Sequence, residues 1–399
     1  MKTVLLSNIG EFKGGVTSIK PSDYGYGTPF ITYRNVYKNS KIDTDDLALM
    51  NVPSKDLDKL ACRYGDVFFT ASSETPNEVA MSSVLLDDIK DLTFNGFCKR
   101  FRLHNFDTLA PEYARYLFRS DQFRDLVNEK VTGDTRFNIS QQSLGEIAVG
   151  LPDISTQQHI AKVLSDIDER IDLNIKMNNV LEQTGQTLFS SYFVEGKEDG
   201  HQNKLTIGDV ADIVDCLHSK KPEQLLSDTG NIFLQLNNIS ANGILDLTSK
   251  FYISDEDYKK WTSRIEASEN DFVITNVGRS GAVAKIPSGV KAALGRNMTA
   301  IRLRDDFKYP GFFSFYMNSN YFKDLVKANL DQGTILSALN VKSIPKLSLP
   351  DMTKVSIDDK EKEFYALRIM IEGNHGEAQS LINTRNLLLP RLISGKINI

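Results

Sequence analysis

The stretch LPDISTQQHIAKVLSDID, from Leu151 to Asp168, is where a strand gives way to a long helix. Pro152 closes the strand, and Ser155 and Gln158 have the spacing of a capping box, in which a hydroxyl and an amide satisfy backbone groups at a helix start. The pattern therefore predicts that a helix begins here.

A seam of apolar residues with a period of 3.5 follows, which is typical of a coiled coil. Asn174 and Asn178 interrupt this seam, and a buried Asn in such a position fixes helix register at some cost in stability. A helix from Gln157 to Phe193 would be about 55 Å long at 1.5 Å per residue, which is longer than a compact domain needs. The apolar positions are Ile160, Val163, Leu164, Ile167, Ile171, Leu181, Leu188 and Tyr192.

A second long helix is predicted from Ser356 towards the end of the chain. Gly373 and Gly376 weaken it, and Pro390 is expected to kink or end it. Each of the two stripes could also belong to an ordinary amphipathic helix of its own domain. The apolar positions of the second stripe are Ile357, Phe364, Leu367, Ile371, Ala378, Leu381, Leu388 and Leu392.

An internal repeat organises the whole chain, because the second half restates the first about 200 residues later. The shared order and nearly constant offset favour a duplication over two unrelated domains. The matched segments are LSNIG at Leu6 and LTIG at Leu205, PFITYRNV at Pro29 and IFLQLNNI at Ile232, GDVFFT at Gly65 and NDFVIT at Asn270, Arg102-Leu103 and Arg302-Leu303, TGDTR at Thr132 and QGTIL at Gln332, and LPD at Leu151 and Leu349.

The repeat predicts a domain followed by a helix, twice. The predicted boundaries are 1–152 and 196–352 for the two domains, and 153–195 and 353–399 for the helices. If a pseudo-two-fold axis relates the halves, the helices pair antiparallel and hold the domains apart. Such an arrangement suits a duplex that is read at two sites.

The composition allows this plan without requiring it. The 47 Lys+Arg and 52 Asp+Glu residues give a formal charge of −5, so any binding of nucleic acid must use local basic surfaces. Three widely spaced cysteines fit reduced thiols in a cytosol. Neither a signal peptide nor an apolar run long enough to span a membrane is evident, which predicts a cytoplasmic protein without a membrane partner.

The sequence carries none of the common enzyme motifs. A glycine-rich phosphate loop ending in Lys-Ser/Thr, an HExxH or CxxC metal pattern and an Asn/Asp-Pro-Pro methyltransferase motif are absent from the sequence. Asp271 and Asp351 are read as turn residues. The five histidines are scattered and not at ligand spacing. We therefore expect no catalytic residues, no cofactor and no metal.

The chain resembles the specificity subunit of type I restriction-modification systems, over essentially its whole length and in two copies. The stretches that carry the likeness are GDTRFNIS (Gly133 to Ser140) with the junction at Leu151, FSSYF (Phe189 to Phe193) and LPRLISGK (Leu389 to Lys396).

The resemblance implies a mixed α/β (α+β) fold, with two tandem target-recognition domains separated by two long antiparallel coiled-coil helices. It implies a non-catalytic subunit that recognises a bipartite, asymmetric double-stranded DNA target. It also implies partners: two adenine-methyltransferase (modification) subunits, and restriction/translocase subunits. The segment from Thr353 to Asp359 departs from the usual Gln-containing helix start. The alternative is a coiled-coil interaction scaffold without sequence-specific DNA binding, which predicts a partner complex that forms without DNA.

Base and phosphate contacts need residues such as Arg, Lys, Asn, Gln, Ser and Thr, and both halves carry them in polar loops. The residues differ at matched positions, which suggests that the two domains read different half-sites. Small or glycine residues beside Arg279, Arg296 and Asn297 allow a close backbone approach and favour these three. The candidates are Arg34, Asn35, Lys99, Arg100, Thr135, Arg136 and Asn138 in the first half, and Lys220, Lys221, Asn237, Asn238, Arg279, Ser280, Arg296, Asn297 and Thr334 in the second.

Overall fold

The chain folds into two compact units in the computed structural model. The structure describes residues 1–17, 20–195, 205–226, 229–240, 243–247, 249–331, 337–353 and 355–397. The first unit comprises Met1–Asp172 with Ala378–Ile399, and the second comprises Leu173–Glu377. Each unit therefore contains one copy of the repeated domain and a segment of both long helices.

The first unit is built on a four-stranded sheet in the order β2-β9-β5-β7 and a three-stranded sheet in the order β4-β3-β8. Its strands are β1 (Lys2–Leu5), β2 (Gly10–Gly14), β3 (Tyr24–Ile31), β4 (Ala48–Met50), β5 (Val67–Thr70), β6 (Ser72–Ser73), β7 (Ser82–Val84), β8 (Thr93–Phe94), β9 (Cys98–Leu103), β10 (Phe137–Asn138) and β11 (Ala148–Leu151). Its helices are α1 (Leu6–Ile9), α2 (Tyr33–Lys38), α3 (Ser54–Leu60), α4 (Pro111–Leu117), α5 (Asp121–Asn128), α6 (Gln141–Gly145) and the start of α7 (Ile154–Phe193).

The second unit repeats both sheets, as β12-β18-β15-β16 and β14-β13-β17. Its strands are β12 (Ala211–Asp215), β13 (Asn231–Leu234), β14 (Tyr252–Ile253), β15 (Phe272–Thr275), β16 (Val283–Lys285), β17 (Ala292–Leu294), β18 (Met298–Leu303), β19 (Leu330–Asp331) and β20 (Ala338–Leu339). Its helices are α8 (Ile207–Val210), α9 (Asp255–Trp261), α10 (Pro310–Asn318), α11 (Asn320–Ala328) and most of α12 (Ile357–Ile393). Three paired segments of the predicted repeat, those that begin at Pro29 and Ile232, at Gly65 and Asn270, and at Arg102 and Arg302, fall on equivalent strands. The segments at Leu6 and Leu205 fall on the short helices α1 and α8, and residues 332–336 lie outside the described residues.

The central strands β5 and β15 are buried on both faces. This burial explains why each of them has a continuous apolar sequence. In β5, Val67 and Phe69 face a core formed with α4 and α5, whereas Phe68 faces the core of the three-stranded sheet. In β15, Phe272 and Ile274 face the core that contains α10 and α11. The alternation of side chains along a strand supplies both cores at once.

The first long helix begins at Ile154, and the residue that caps it is Asp153. The Asp153 carboxylate accepts hydrogen bonds from the backbone N and the hydroxyl of Thr156, at 2.9 and 2.8 Å. The predicted capping box of Ser155 and Gln158 is therefore wrong, although the helix itself is confirmed. A carboxylate with its charge at the first turn is a stronger partner for the free amides than a hydroxyl two residues later, inside the helix.

The second long helix starts where predicted, with the Ser356 hydroxyl 2.8 Å from Asp359 Oδ2. Pro390 does not end it, because the helix continues to Ile393. Leu392 and Ile393 are buried against Ile160 and Leu164 of α7 within the first unit. This packing offsets the backbone hydrogen bond that proline cannot make.

Both asparagines of the predicted seam are buried in the second unit. Asn178 donates to the carbonyl of Ile371 at 3.0 Å and accepts a hydrogen bond from Asn374 at 2.9 Å. Tyr192, further along α7, contacts Glu363, which is earlier in α12. The two helical segments of this unit are therefore antiparallel. Among the described residues, no helix is long and apolar enough to cross a membrane.

Candidate nucleic-acid interface

Each unit contains the same ion pair between a buried aspartate in a turn and an arginine on a neighbouring strand. Asp66 accepts two hydrogen bonds from Arg102 at 2.7 Å, and Asp271 accepts two from Arg302 at 2.7 and 2.6 Å. Asp271 also accepts a hydrogen bond from the backbone N of Ser268 at 2.8 Å, as a turn residue does. The duplication therefore extends from strand order to individual side-chain contacts.

Asn35 and Asn238 are equivalent residues with a structural role. Asn35 Oδ1 accepts from the backbone N of Thr32 at 2.9 Å, and its amide donates to the carbonyl of Asp46 at 2.9 Å. Asn238 likewise bonds the backbone N of Gln235 and the carbonyl of Asp246, both at 2.8 Å. Both side chains are buried. Their hydrogen-bonding groups are used inside the fold, so neither offers them to another molecule.

Arg100 is also a buried residue rather than a surface one. Its Nη1 donates to the carbonyl of Ala61 at 3.0 Å, and its guanidinium lies over the ring of Phe94. Burial lowers the pKa of Arg100, an effect that Asp66 opposes. Its neighbour Lys99 alternates to the other face of β9 and is half-exposed.

The loop 132–138 of the first unit presents three of the predicted residues together. Backbone hydrogen bonds between Thr132 and Asn138, at 3.0 and 2.8 Å, close the loop. Thr135, Arg136 and Asn138 are exposed. Arg136 donates to the Ser72 hydroxyl at 3.2 Å, which fixes one end of its guanidinium. Arg34 is exposed on α2, next to the buried Asn35.

The second unit presents a different loop at 276–281. Gly278 and Gly281 have positive φ angles of 88° and 85°, which favour glycine and shape the loop around Arg279. Arg279 is exposed, and its Nη1 donates to the carbonyl of Ile239 at 2.7 Å. The Ser280 hydroxyl is 3.0 Å from the carbonyl of Asn276 and 2.6 Å from that of Ser337, so it anchors the loop.

The remaining described candidates of the second unit lie on its surface. Arg296 is exposed beside Asn297, which has a positive φ of 64° and whose carbonyl accepts from the backbone N of Asn276 at 2.8 Å. Asn237 and Lys220 are exposed. Lys221 donates to Gln235 at 2.7 Å and lies 4.3 Å from the centre of the Phe251 ring. Thr334 lies outside the described residues.

Comparison with known proteins agrees with this architecture. The family model described as the type I restriction modification DNA specificity domain matches residues 1–183. The MjaX type I restriction enzyme specificity subunit of Methanocaldococcus jannaschii is 23% identical over 97% of this chain and 91% of its own length. Residues 1–183 thus match the type I restriction modification DNA specificity domain, and the chain as a whole is similar to type I restriction enzyme specificity subunits. The HindI specificity subunit of Haemophilus influenzae is 32% identical over 23% of this chain and 20% of its own length.

The solved S subunit of the type I restriction-modification system of M. genitalium shares the fold of this chain, with a TM-score of 0.57 and 15% identity. The alignment covers 98% of this chain and 95% of that one. The family model ends within α7, so the second domain is related to it through the repeated strand order rather than through that match.

One cluster in the second unit was missed by sequence reasoning. His218 Nε2 lies 2.7 Å from Asp215 Oδ2. In the described part of the chain, Asp215, Cys216 and His218 bring three potential metal-donor atoms within 4.8 Å of one another. Burial raises the pKa of the Cys216 thiol, which opposes the thiolate that a metal requires. The sequence DCLH, from Asp215 to His218, is the available signal, but it matches no common metal-binding motif.

Proposed function

We propose that this chain is the DNA-reading subunit of a type I restriction-modification complex and that it recognises a bipartite, asymmetric target. The observation that carries the proposal is the duplicated recognition unit, whose copies share strand order and an Arg–Asp pair with a buried carboxylate but differ in the residues of their polar loops. Shared scaffolds with different loops support two half-sites of different sequence. The proposed domains remain 1–152 and 196–352, with connecting helices at 153–195 and 353–399.

The proposed DNA interface contains fewer residues than the sequence suggested. It leaves out Asn35, Arg100 and Asn238, because all three side chains are buried inside the fold. Exposed or half-exposed side chains can give up water to a base edge or phosphate without breaking the fold. The retained residues are Arg34, Lys99, Thr135, Arg136, Asn138, Lys220, Lys221, Asn237, Arg279, Ser280, Arg296 and Asn297.

The proposed partners are two methyltransferase subunits, together with restriction/translocase subunits. Support comes from apolar side chains that remain exposed on the long helices within the second unit. Isolated exposed apolar residues are ordinary, but several on the same helices are typical of a protein-binding surface. They are Leu173, Ile175, Met177 and Val180 of α7, and Tyr365, Ile369 and Met370 of α12. We call this set the helix patch.

The proposed role is non-catalytic. Methyl transfer would then require the partner subunits, and the purified chain alone would transfer no methyl group to any duplex. Detectable transfer by the single chain would contradict this part of the proposal.

The decisive experiment maps methylated adenines across the genome of a host with and without this chain. We expect one split, asymmetric motif to lose its methylation when the chain is absent. The assembled complex should bind that motif more tightly than a scrambled duplex, with affinity that falls steeply as salt rises. A partner complex without any sequence preference would favour the scaffold alternative instead.

A further inference from the structure

His218 lies just after β12, and its orientation is fixed by Asp215. The distance from Nε2 to Asp215 Oδ2 is 2.7 Å, whereas the imidazole side chain is 55% exposed. A carboxylate can only accept a hydrogen bond, so Nε2 must carry the hydrogen. In the neutral ring the other nitrogen, Nδ1, is then an acceptor.

The backbone around this pair is held firmly. The backbone N of Cys216 donates to the carbonyl of Met298 at 3.1 Å, and Arg264 donates to the carbonyl of Cys216 at 2.9 Å. The Thr299 hydroxyl lies 3.5 Å from Asp215 Oδ1. An exposed side chain held on a rigid support loses little entropy on binding, which is what specific recognition requires.

The surroundings favour a nucleic-acid contact. Lys220 and Lys221 follow within three residues and are exposed, so they can bind phosphates beside the imidazole. The first unit has no pair like Asp215 and His218 at the equivalent position. Gly14 is opposite Lys99 in the first sheet, where Asp215 is opposite Thr299 in the second. The feature therefore belongs to one recognition unit only.

We propose that His218 reads an adenine or a cytosine in the half-site bound by the second unit, with Nδ1 accepting a hydrogen bond from the exocyclic amino group. In the major groove, adenine N6 and cytosine N4 are donors, whereas the guanine and thymine oxygens are acceptors. The fixed tautomer thus selects between base classes. This inference rests on the proposed function.

The test uses the chain assembled with its methyltransferase subunits and a duplex that carries the mapped motif, at pH 8. Each adenine is replaced in turn by purine and each cytosine by 2-pyrimidinone, which lack the amino group. We expect wild type to lose about fivefold to tenfold in affinity at one position, the effect of a single neutral hydrogen bond. His218→Ala should be weaker by a similar factor and insensitive to the analogue at that position.

Asp215 is a positioning residue in this scheme, and Asp215→Asn tests it. An amide can donate to Nε2 as well as accept from it, so the ring is free to adopt either tautomer. We expect weaker discrimination between amino and keto bases at the His218 position, with an unchanged melting temperature. His104→Ala, which removes an exposed histidine of the first unit, is the matched control and should behave as wild type at that position.

The proposal is wrong if His218→Ala keeps the wild-type sensitivity to the analogues, or if no position responds to loss of the amino group. A Co²⁺ absorption band that both Cys216→Ser and His218→Ala abolish would also overturn it, because the imidazole would then be a metal ligand. By contrast, a wild-type complex that binds mapped and scrambled duplexes equally overturns the proposed function, and the inference falls with it.

Discussion

Neighbouring polar residues in this chain have opposite roles, and burial decides which. Arg34 and Asn35 are adjacent on α2, yet Arg34 is exposed and Asn35 is buried in a hydrogen-bonded cap. We expect Asn35→Ala to lower the free energy of unfolding by about 1–3 kcal/mol, because it leaves the backbone N of Thr32 and the Asp46 carbonyl without their partner. Arg34→Ala should leave stability unchanged and weaken DNA binding.

Urea unfolding and duplex titration of the same two variants separate these effects. If Arg34→Ala unfolds earlier than Asn35→Ala, the assignment of the two residues is reversed.

Arg34 and Asn35 also show how much of the site could be predicted from the sequence. Residue type and loop position correctly identified Arg34, Arg136 and Arg279 as exposed candidates. Asn35, Arg100 and Asn238 are polar residues selected by the same criteria, but they point inward. Which way a side chain faces depends on packing that local patterns do not encode.

At the scale of elements, Asp168 joins three helices within the first unit. Its carboxylate accepts from Arg385 of α12 and from Arg115 and Tyr116 of α4, each at 2.8 Å, and it is buried. Asp168→Asn should lower the free energy of unfolding by about 3 kcal/mol, because two arginines lose a buried counter-charge. Urea unfolding monitored by hydrogen exchange in α4 measures this loss.

Asp166 provides the matched control on the same helix. It pairs with Lys162 at 2.8 Å on the exposed surface, where water and salt screen the interaction. Asp166→Asn should therefore change stability little. Equal effects of the two substitutions would show that the buried cluster does not secure α4 to the long helices.

The helix patch is a second feature at this scale. Val180 is 61% exposed, so Val180→Glu should leave the fold intact and weaken methyltransferase binding about tenfold or more, as a charge introduced into an apolar contact does. Thr187→Glu introduces the same charge on the exposed side of α7 about two turns later and should bind normally. Calorimetry of the two variants with the partner subunit measures the difference, and equal affinities would remove the patch from the docking surface.

The starts of the two long helices make equivalent side-chain contacts, although their sequences differ. Gln157 of α7 accepts from the backbone N of Ala110 at 3.0 Å, at the start of α4. Glu361 of α12 does the same work at the start of α10, where it accepts from the backbone N of Gly311 and Phe312 at 2.7 Å. The second half therefore departs from the Gln-containing pattern in sequence but keeps the contact. The sequence pattern shows the change of residue, whereas the shared contact is visible only in the three-dimensional structure.

For the whole molecule, duplication predicts that the two recognition units act independently on DNA. Arg136 belongs to the first unit and Arg279 to the second, and both are exposed in loops of different conformation. Arg136→Ala should relax or weaken recognition in one half of the mapped motif only, and Arg279→Ala in the other half only. Each should cost about 1–3 kcal/mol if the arginine contacts a guanine, and the double variant should show the sum, because distant sites without shared partners are additive.

Competition binding with duplexes scrambled in one half-site at a time measures this independence. A duplex scrambled in the half that Arg136 reads should bind the wild type and Arg136→Ala complexes alike, since the contact is already lost, yet still distinguish wild type from Arg279→Ala. Sensitivity of both variants to the same half would mean that the two loops converge on one sequence. Such a result would contradict the hypothesis that each copy of the repeat recognises one half of the target.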